Sequence, residues 1–426
     1  MQYTHIYINK LFGLYDYKLD FNYENDDKLT ILTGPNGYGK TTILTIINKL
    51  NPRELFYFYL LKFKSIEIGL NDESVIKIYP KYTDDKSNEG IGDTKIEDVK
   101  EVRFEWYDKN DNLMSFFMYN NQIISKAHRK SIYEWYLNDK VNNRNSEKDL
   151  LDNKAFNENV AQSLKQDGFL MQLEGIKSGF IKANRIYNEA NEDAKQTPIQ
   201  RVKNNLKKLL ESANKEYLEQ SQRIEKRFIQ EILSCDNIHI SEDECREIAE
   251  HVSRKYNDLI RFRLTDKIVI PEYVESKSFI LYAYLKSLNE KIDQFGTLPE
   301  KLKLFEKLIK EKRFANKSIS FSPQHGFLIV SDTNEFLNEN LLSSGEQNEI
   351  ILLYRLIFEI ADNTTLLIDE PENSLHLVWQ REVLNDIKQI AKIKNLQVII
   401  ATHSSSIVSM GEENTIDLYY LQKEQL

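Results

Sequence analysis

The chain has 426 residues, of which 41% are hydrophobic and 29% are charged, and its formal net charge is −9. This length and apolar content can bury a large core over two or three domains. The negative net charge counts against nucleic-acid binding by the whole surface, so any such contact must come from a local basic patch. The longest apolar runs are far shorter than the ~20 residues of a membrane helix, and the first residues lack a secretory signal, so we expect a cytoplasmic location and no membrane partner.

The first predicted elements surround a glycine-rich loop. Residues 3–12 alternate in polarity and predict a strand, residues 28–33 predict a buried strand, and residues 43–50 have helical spacing. Between the last two lies the sequence Gly34-Pro35-Asn36-Gly37-Tyr38-Gly39-Lys40-Thr41. A strand, a glycine loop of this spacing and a helix form a phosphate-binding P-loop.

This loop predicts an ATP site with Mg²⁺. We expect backbone N–H groups to surround the β-phosphate, Lys40 to neutralise β and γ oxygens, and the Thr41 hydroxyl to ligate the metal. The remaining predicted nucleotide contacts are Asn36, Gly37, Gly39 and Thr42.

A small antiparallel sheet is predicted next, from short runs at 66–70, 75–79, 102–107 and 114–118. Gln122 follows the last run, and its side chain either contacts a metal-bound water or is a surface amide. Residues 131–175 predict polar helices, and residues 180–186 predict a strand. Arg185, near the end of this strand, either contacts a nucleotide or a neighbouring copy of the chain, or forms a structural ion pair.

Residues 188–314 predict a helical arm. Apolar residues keep helical spacing from 202 to 232, and helices at 279–295 and 298–314 lead back. The last helix carries basic residues that would contact phosphates or an acidic partner, or form a solvated face. Cys235, His239, Cys245 and His251 could form a zinc cluster, but their spacing matches no standard structural zinc pattern, and the alternative is two reduced thiols on or near a helix.

A second anion-binding turn is predicted near residue 344. A hairpin at 317–330 precedes the turn Ser343-Ser344-Gly345-Glu346, which opens a long helical segment. The N-terminus of a helix attracts anions, so this turn resembles a second phosphate grip. Because the glycine loop is already complete, the second grip is expected to serve an ATP held by another copy of the chain.

Acidic residues and a histidine follow two further buried strands, at 365–368 and 396–402, with a helix at 375–393 between them. Asp369 is expected to hold the metal through water, and Glu370 to accept a proton from the attacking water. His403 would donate a hydrogen bond to a γ-phosphate oxygen, while Asn373 and Ser374 would contact the opposite copy.

The order of these motifs resembles ABC-type ATPases, specifically the branch of SMC, RecF and OLD-family heads. The closer resemblance is to prokaryotic defence ATPases, namely the ATPase subunits of Septu systems, including retron-associated forms, and of PARIS. It covers about two thirds of the chain and includes Ala183-Asn184-Arg185, Leu342–Gln347 and Leu367–His376.

The resemblance implies an α/β fold: an ABC-type P-loop ATPase head with a parallel or mixed core sheet, a small antiparallel sheet and a coiled-coil-like helical insertion. The predicted division is 1–187 and 315–426 for the two halves of the head, and 188–314 for the arm. Lys40, Thr41, Asp369, Glu370 and His403 would act in one head, and Ser344 and Gly345 on the other head's ATP.

The implied function is an ATPase that forms ATP-dependent homodimers, or trimers of such dimers, and controls a nuclease in anti-phage defence. Because the chain stops about twenty residues after His403, we expect a separately encoded nuclease of HNH or TOPRIM type, triggered by DNA or a phage component. The alternative is a RecF- or SMC-like clamp on DNA in repair or chromosome maintenance.

Overall fold

The computed structural model describes residues 1–24, 27–82, 99–120, 167–182, 196–234, 239–312, 314, 317–373, 375 and 377–423. The chain divides into two compact units, one of Met1–Glu192 with Ile360–Leu426 and the other of Asp193–Glu359. Gln122, Arg185 and Ser374 lie outside the described residues. The predicted three-part division of the chain stays a prediction.

The N-terminal segment of the first unit contains eight strands and three helices among the described residues. In chain order these elements are β1 (Tyr3–Leu11), β2 (Tyr15–Asp20), β3 (Leu29–Thr33), α1 (Lys40–Asn48), α2 (Phe56–Leu60), β4 (Ser65–Leu70), β5 (Val75–Tyr82), β6 (Val99–Tyr107), β7 (Leu113–Asn120), α3 (Gly168–Glu174) and β8 (Ser178–Ile181).

The second unit is mostly helical. It contains α4 (Pro198–Ser234), α5 (Glu242–Arg261), a 3₁₀ turn (Glu275–Lys277), α6 (Ser278–Asp293), α7 (Leu298–Glu311), β9 (Lys317–Ser322), β10 (Gly326–Ser331), β11 (Phe336–Leu337), a 3₁₀ turn (Glu339–Leu341), α8 (Ser344–Tyr354) and a π-helical turn (Arg355–Glu359).

The chain then returns to the first unit. The last elements are β12 (Thr365–Asp369), α9 (Leu377–Lys394), β13 (Gln397–Ala401), α10 (Ser405–Met410), a 3₁₀ turn (Glu412–Asn414), β14 (Thr415–Asp417) and α11 (Leu418–Lys423).

A five-stranded parallel sheet forms the centre of the first unit, in the order β14-β3-β13-β12-β8. Every residue of β12 and β13 is buried, as expected for strands covered on both faces. The predicted buried strands at 28–33, 365–368 and 396–402 are confirmed. In register, Asp369 pairs with Ala401 and Ala401 with Leu32, so the chain leaves three neighbouring strands at one edge.

An antiparallel sheet completes the first unit, with six strands in the order β2-β1-β4-β5-β6-β7. The four predicted runs are confirmed as β4 to β7, but the sheet is larger than predicted. β1 pairs with β4 and β2 pairs with β1, so the N-terminal hairpin extends the sheet. The α/β fold class with a parallel core sheet and an antiparallel sheet is therefore confirmed.

The second unit confirms the predicted long helix, since α4 runs for 37 residues. The return helices α6 and α7 and the β9–β10 hairpin are confirmed as well. Two of the basic residues of α7 form ion pairs: Lys303 pairs with Asp258 of α5, and Lys307 pairs with Glu311. Among the described residues, none of the helices combines the length and the apolar character that a membrane span needs.

Of the four residues considered for a zinc cluster, Cys235 lies outside the described residues. Cys245 is a free, buried thiol on α5 near the Ser278 carbonyl, and His239 lies near Glu275. Within the part of the chain that the structure describes, no three histidine, cysteine or acidic residues are grouped to hold a metal ion.

Candidate functional site

The glycine loop joins β3 to α1 through backbone conformations that favour glycine. Gly37 has φ 88° and Gly39 has φ 81°, both in the left-handed region. A Cβ at Gly39 would also lie 3.1 Å from a methyl group of Leu11. Gly39 is the N-cap of α1 and supplies no side-chain cap. The first N–H groups of this helix are therefore left to an external acceptor such as phosphate.

Lys40 lies across the loop. Its Nζ donates hydrogen bonds to the carbonyl oxygens of Gly34 at 2.7 Å and Pro35 at 3.1 Å. Burial lowers the pKa of Lys40, and the carboxylates of Glu370 and Asp369 oppose this shift. The ammonium group is thus held at the centre of the loop, where anionic oxygens would be stronger acceptors than carbonyls.

The rest of the loop is anchored from behind. The Tyr17 hydroxyl donates to the Tyr38 carbonyl at 2.6 Å, and the Tyr38 ring stacks on Tyr15 with 5.4 Å between centroids. Asn36 and Gly37 are exposed at the tip. The anchored side leaves the tip residues free to contact a ligand, which suits their predicted role.

Thr41 and Asp369 form a direct pair at the carboxyl edge of the parallel sheet. The Thr41 hydroxyl lies 3.0 and 3.1 Å from the two Asp369 carboxylate oxygens. Burial raises the pKa of Asp369 to about 6, the neighbouring Glu370 adds to the rise, and the Thr41 hydroxyl opposes it. A hydroxyl beside a buried carboxylate fits Mg²⁺, which takes oxygen ligands and keeps several waters. Thr42 follows, half-buried on α1.

Glu370 and His403 lie together beyond this pair. Glu370 has φ 48°, an uncommon conformation for a residue with a side chain, and its N–H donates to the Ala401 carbonyl at 2.7 Å. The His403 Nε2 lies 4.0 Å from a Glu370 carboxylate oxygen. Asn373 donates its side-chain amide to the same carboxylate, so within one chain this residue restrains Glu370.

One residue of this edge was missed by the sequence interpretation. Glu372 accepts hydrogen bonds from the Thr402 hydroxyl at 2.6 Å and from the N–H groups of His403 and Ser404 at 3.1 and 3.0 Å. Its only signal in the sequence is its place as the last acid of Asp-Glu-Pro-Glu. That pattern does not reveal which loop the fourth residue will meet.

The turn at residues 343–346 begins α8 in the second unit. Ser343 and Glu346 form a full capping box, in which Ser343 Oγ accepts from Glu346 N–H at 3.3 Å and Glu346 accepts from Ser343 N–H at 2.7 Å. Ser343 and Ser344 are exposed, and Gly345 is half-buried. Lys317 of β9 contacts both carboxylate oxygens of Glu346, at 3.0 and 3.1 Å.

The carboxylate of Glu346 is held in its charged form. Burial acts to raise its pKa, but the Ser343 N–H and the Lys317 ammonium outweigh burial, and the pKa lies below its usual value. Ser343 and Ser344 are thus exposed where α8 begins, while the one acid of the turn is buried and paired with Lys317.

The structure therefore brings Lys40, Thr41, Asp369, Glu370 and His403 together in the first unit. A glycine loop, a lysine, a hydroxyl beside a buried aspartate, and a glutamate at the next position are the parts of a P-loop nucleoside triphosphatase.

The chain belongs to the AAA ATPase domain family, whose model matches residues 1–408. The match includes every residue of the candidate site, from Asn36 to His403. ATP hydrolysis is the activity that this family supports. A comparison with curated proteins gave no match.

Solved structures of SMC heads are similar to this chain at low identity. An Smc head domain with an extended coiled coil bound to the C-terminal domain of ScpA, from Pyrococcus furiosus, has 12% identity and a TM-score of 0.36, covering 98% of this chain and 93% of that one. The SMC head domain from Thermotoga maritima has 11% identity and a TM-score of 0.34, covering 96% and 92%.

Proposed function

We propose that this ATPase is of the ABC type and that two copies pair across two ATP molecules. The observation that carries the proposal is that two helices of one chain begin at turns of small and polar residues: α1 after the glycine loop, and α8 at Ser343–Glu346. A single copy needs only the first to hold its nucleotide. In a two-fold pair, the second turn of each copy would contact the γ-phosphate held by the other.

Each residue of the first unit has a role in this proposal. Lys40 would neutralise β and γ oxygens, while Thr41 directly and Asp369 through water would hold Mg²⁺, which when bound supplies positive charge to the β and γ oxygens. Glu370 would orient the attacking water and accept its proton, and His403 would donate a hydrogen bond to a γ-phosphate oxygen.

At the cellular level, we propose that the paired ATPase controls a separately encoded nuclease of HNH or TOPRIM type in bacterial anti-phage defence. It would act in the cytoplasm, as a dimer or a trimer of dimers, after DNA or a phage component triggers it. The support is the motif resemblance to Septu and PARIS ATPases. In the alternative, a DNA clamp, the α7 residues Lys303 and Lys307 would exchange their carboxylate partners Asp258 and Glu311 for phosphates.

The pairing is tested with Glu370→Gln, which keeps the shape of the side chain but removes the proton acceptor. We expect this variant to hydrolyse ATP roughly 10²- to 10⁴-fold more slowly than the wild type and to accumulate as a pair under saturating Mg-ATP. Light scattering measures the mass with and without nucleotide.

The matched control adds Ser344→Arg to Glu370→Gln, and we expect this double variant to stay monomeric. A Glu370→Gln protein that binds Mg-ATP but stays monomeric would overturn the pairing mechanism. The defence role is tested separately, by phage plating of cells that carry the gene for this chain together with any nuclease gene encoded beside it, against the same cells with Lys40→Ala; equal plating would contradict the defence role.

A further inference from the structure

We propose that Glu372 is a positioning residue for hydrolysis, because it fixes the loop that carries His403 relative to Glu370. The inference rests on the roles proposed above for His403 and Glu370. It assigns to the fourth residue of Asp-Glu-Pro-Glu a task that its position in the sequence does not suggest.

The first observation is the concentration of hydrogen bonds on one atom. Glu372 Oε1 accepts from the Thr402 hydroxyl at 2.6 Å, the His403 N–H at 3.1 Å and the Ser404 N–H at 3.0 Å. The Ser404 N–H also lies 2.9 Å from the Thr402 hydroxyl oxygen. A carboxylate that accepts from two N–H groups and a hydroxyl holds them more strongly than a neutral acceptor would.

The second observation is a pair of attachments between the same two segments. Immediately after the strands end, the Glu370 N–H donates to the Ala401 carbonyl at 2.7 Å. Two residues later, the Glu372 side chain binds Thr402 to Ser404. Only Pro371 lies between these attachments, and a proline ring fixes φ near −65°. The turn after β12 and the loop after β13 are thus joined at two points.

The turn itself is held by its own hydrogen bonds. The Asn373 N–H donates to the Glu370 carbonyl at 3.0 Å, and the Gln380 amide donates to the Glu372 carbonyl at 3.2 Å. Glu372 therefore projects from a braced turn, so its carboxylate acts as a fixed point for the His403 loop.

Burial alone does not hold the side chains of His403 and Glu370 in place. The His403 side chain is 37% exposed and that of Glu370 is 32% exposed, with 4.0 Å between His403 Nε2 and the Glu370 carboxylate. Partly exposed side chains keep such a separation only if their backbones are fixed. A displacement of about 1 Å at a reacting centre can reduce a rate on the order of 100-fold.

The test compares Glu372→Ala, Glu372→Gln and the control Glu413→Ala, which removes an exposed carboxylate from the 3₁₀ turn before β14. We expect Glu372→Ala to lower kcat roughly 10- to 100-fold while the Kd for ATP changes less than about 2-fold. Glu372→Gln keeps an oxygen acceptor and should recover most of the rate. Glu413→Ala should match the wild type.

A double-mutant cycle separates positioning from general destabilisation. If Glu372 acts through the His403 loop, Glu372→Ala should lower kcat less than about 3-fold in a His403→Ala background. Equal losses in both backgrounds, or a wild-type rate for Glu372→Ala, would overturn the inference. If His403→Ala and Glu370→Gln themselves keep wild-type rates, the proposed site fails instead, and the two failures are distinguished.

Discussion

The two turns that we propose to bind phosphate begin their helices in opposite ways. At the glycine loop, α1 begins with Gly39, which provides no side-chain cap, and no acid lies in its first turn. At the second turn, α8 begins with Ser343, and Glu346 closes a capping box around it. The first helix end is incomplete by itself, whereas the second is a stable structure before any ligand binds.

The two helix N-termini are therefore suited to different ligands. An uncapped N-terminus beside a buried lysine gains its hydrogen bonds from the phosphates, so it suits a nucleotide that one copy binds by itself. A capped N-terminus is rigid and keeps its shape without nucleotide. It would suit the proposed recognition of a phosphate held by another copy, and Lys317, which contacts both carboxylate oxygens of Glu346, would then offset the repulsion between that carboxylate and the phosphate.

Substitutions in the two turns should differ most strongly in their effect on the affinity for ATP. Lys40→Ala removes the buried cation of the first turn, and we expect the affinity for ATP to fall on the order of 100-fold or more, since charged hydrogen bonds contribute about 1.5–3 kcal/mol each. Ser344→Arg should leave the affinity of a single copy unchanged but abolish ATP-dependent pairing and hydrolysis. Isothermal titration calorimetry measures the affinities.

Mixing the two inactive variants provides the control for that comparison. A mixed pair of Lys40→Ala and Ser344→Arg contains one intact composite site, so random pairing should restore at most about a quarter of the wild-type rate. A mixture as inactive as its components would show that the turns do not serve each other's nucleotide. Unchanged affinity in Lys40→Ala would remove the glycine-loop assignment.

Local sequence patterns predicted the elements that carry the site. The strand before Gly34 and the strand before Asp369 are continuous apolar runs next to residues of distinct chemistry, so periodicity and composition located both. The resemblance to ABC-type ATPases placed Lys40 and Asp369 in one head, and in the structure both lie where neighbouring parallel strands end.

Contacts between distant segments were not predictable in this way. Nothing near Glu372 indicates Thr402, thirty residues away along the chain, and nothing near Glu346 indicates Lys317. The strand β2 was missed although Tyr15, Tyr17 and Leu19 alternate with charged residues as in a half-buried strand; what the local pattern does not display is its pairing with β1. Such contacts are set by sheet register and helix packing, which one sequence does not display.

A smaller effect is expected when the second turn loses its internal cation. Lys317→Met leaves the Glu346 carboxylate, whose side chain is 8% exposed, without its ammonium partner. We expect the opening free energy of the α8 backbone amides to fall by about 1–3 kcal/mol, measured by hydrogen exchange, with a parallel loss of hydrolysis. Lys286→Met, at an exposed position on α6, should change neither. Unchanged protection of α8 would contradict the role assigned to Lys317.

The smallest expected effect is a pH dependence confined to the second turn. Because the pKa of Glu346 is lowered in the folded protein, its contribution to stability is complete above the ordinary glutamate pKa, about 4.3, and is lost as the pH falls through the folded pKa. The wild type should therefore exceed Glu346→Gln in α8 protection by a constant margin near neutral pH. That margin should shrink below about pH 4, where the wild-type carboxylate becomes protonated. If the difference in α8 protection between the wild type and Glu346→Gln stays constant down to pH 3, the charge of Glu346 does not stabilise the capping box. The two turns would then not differ in the electrostatic way described above.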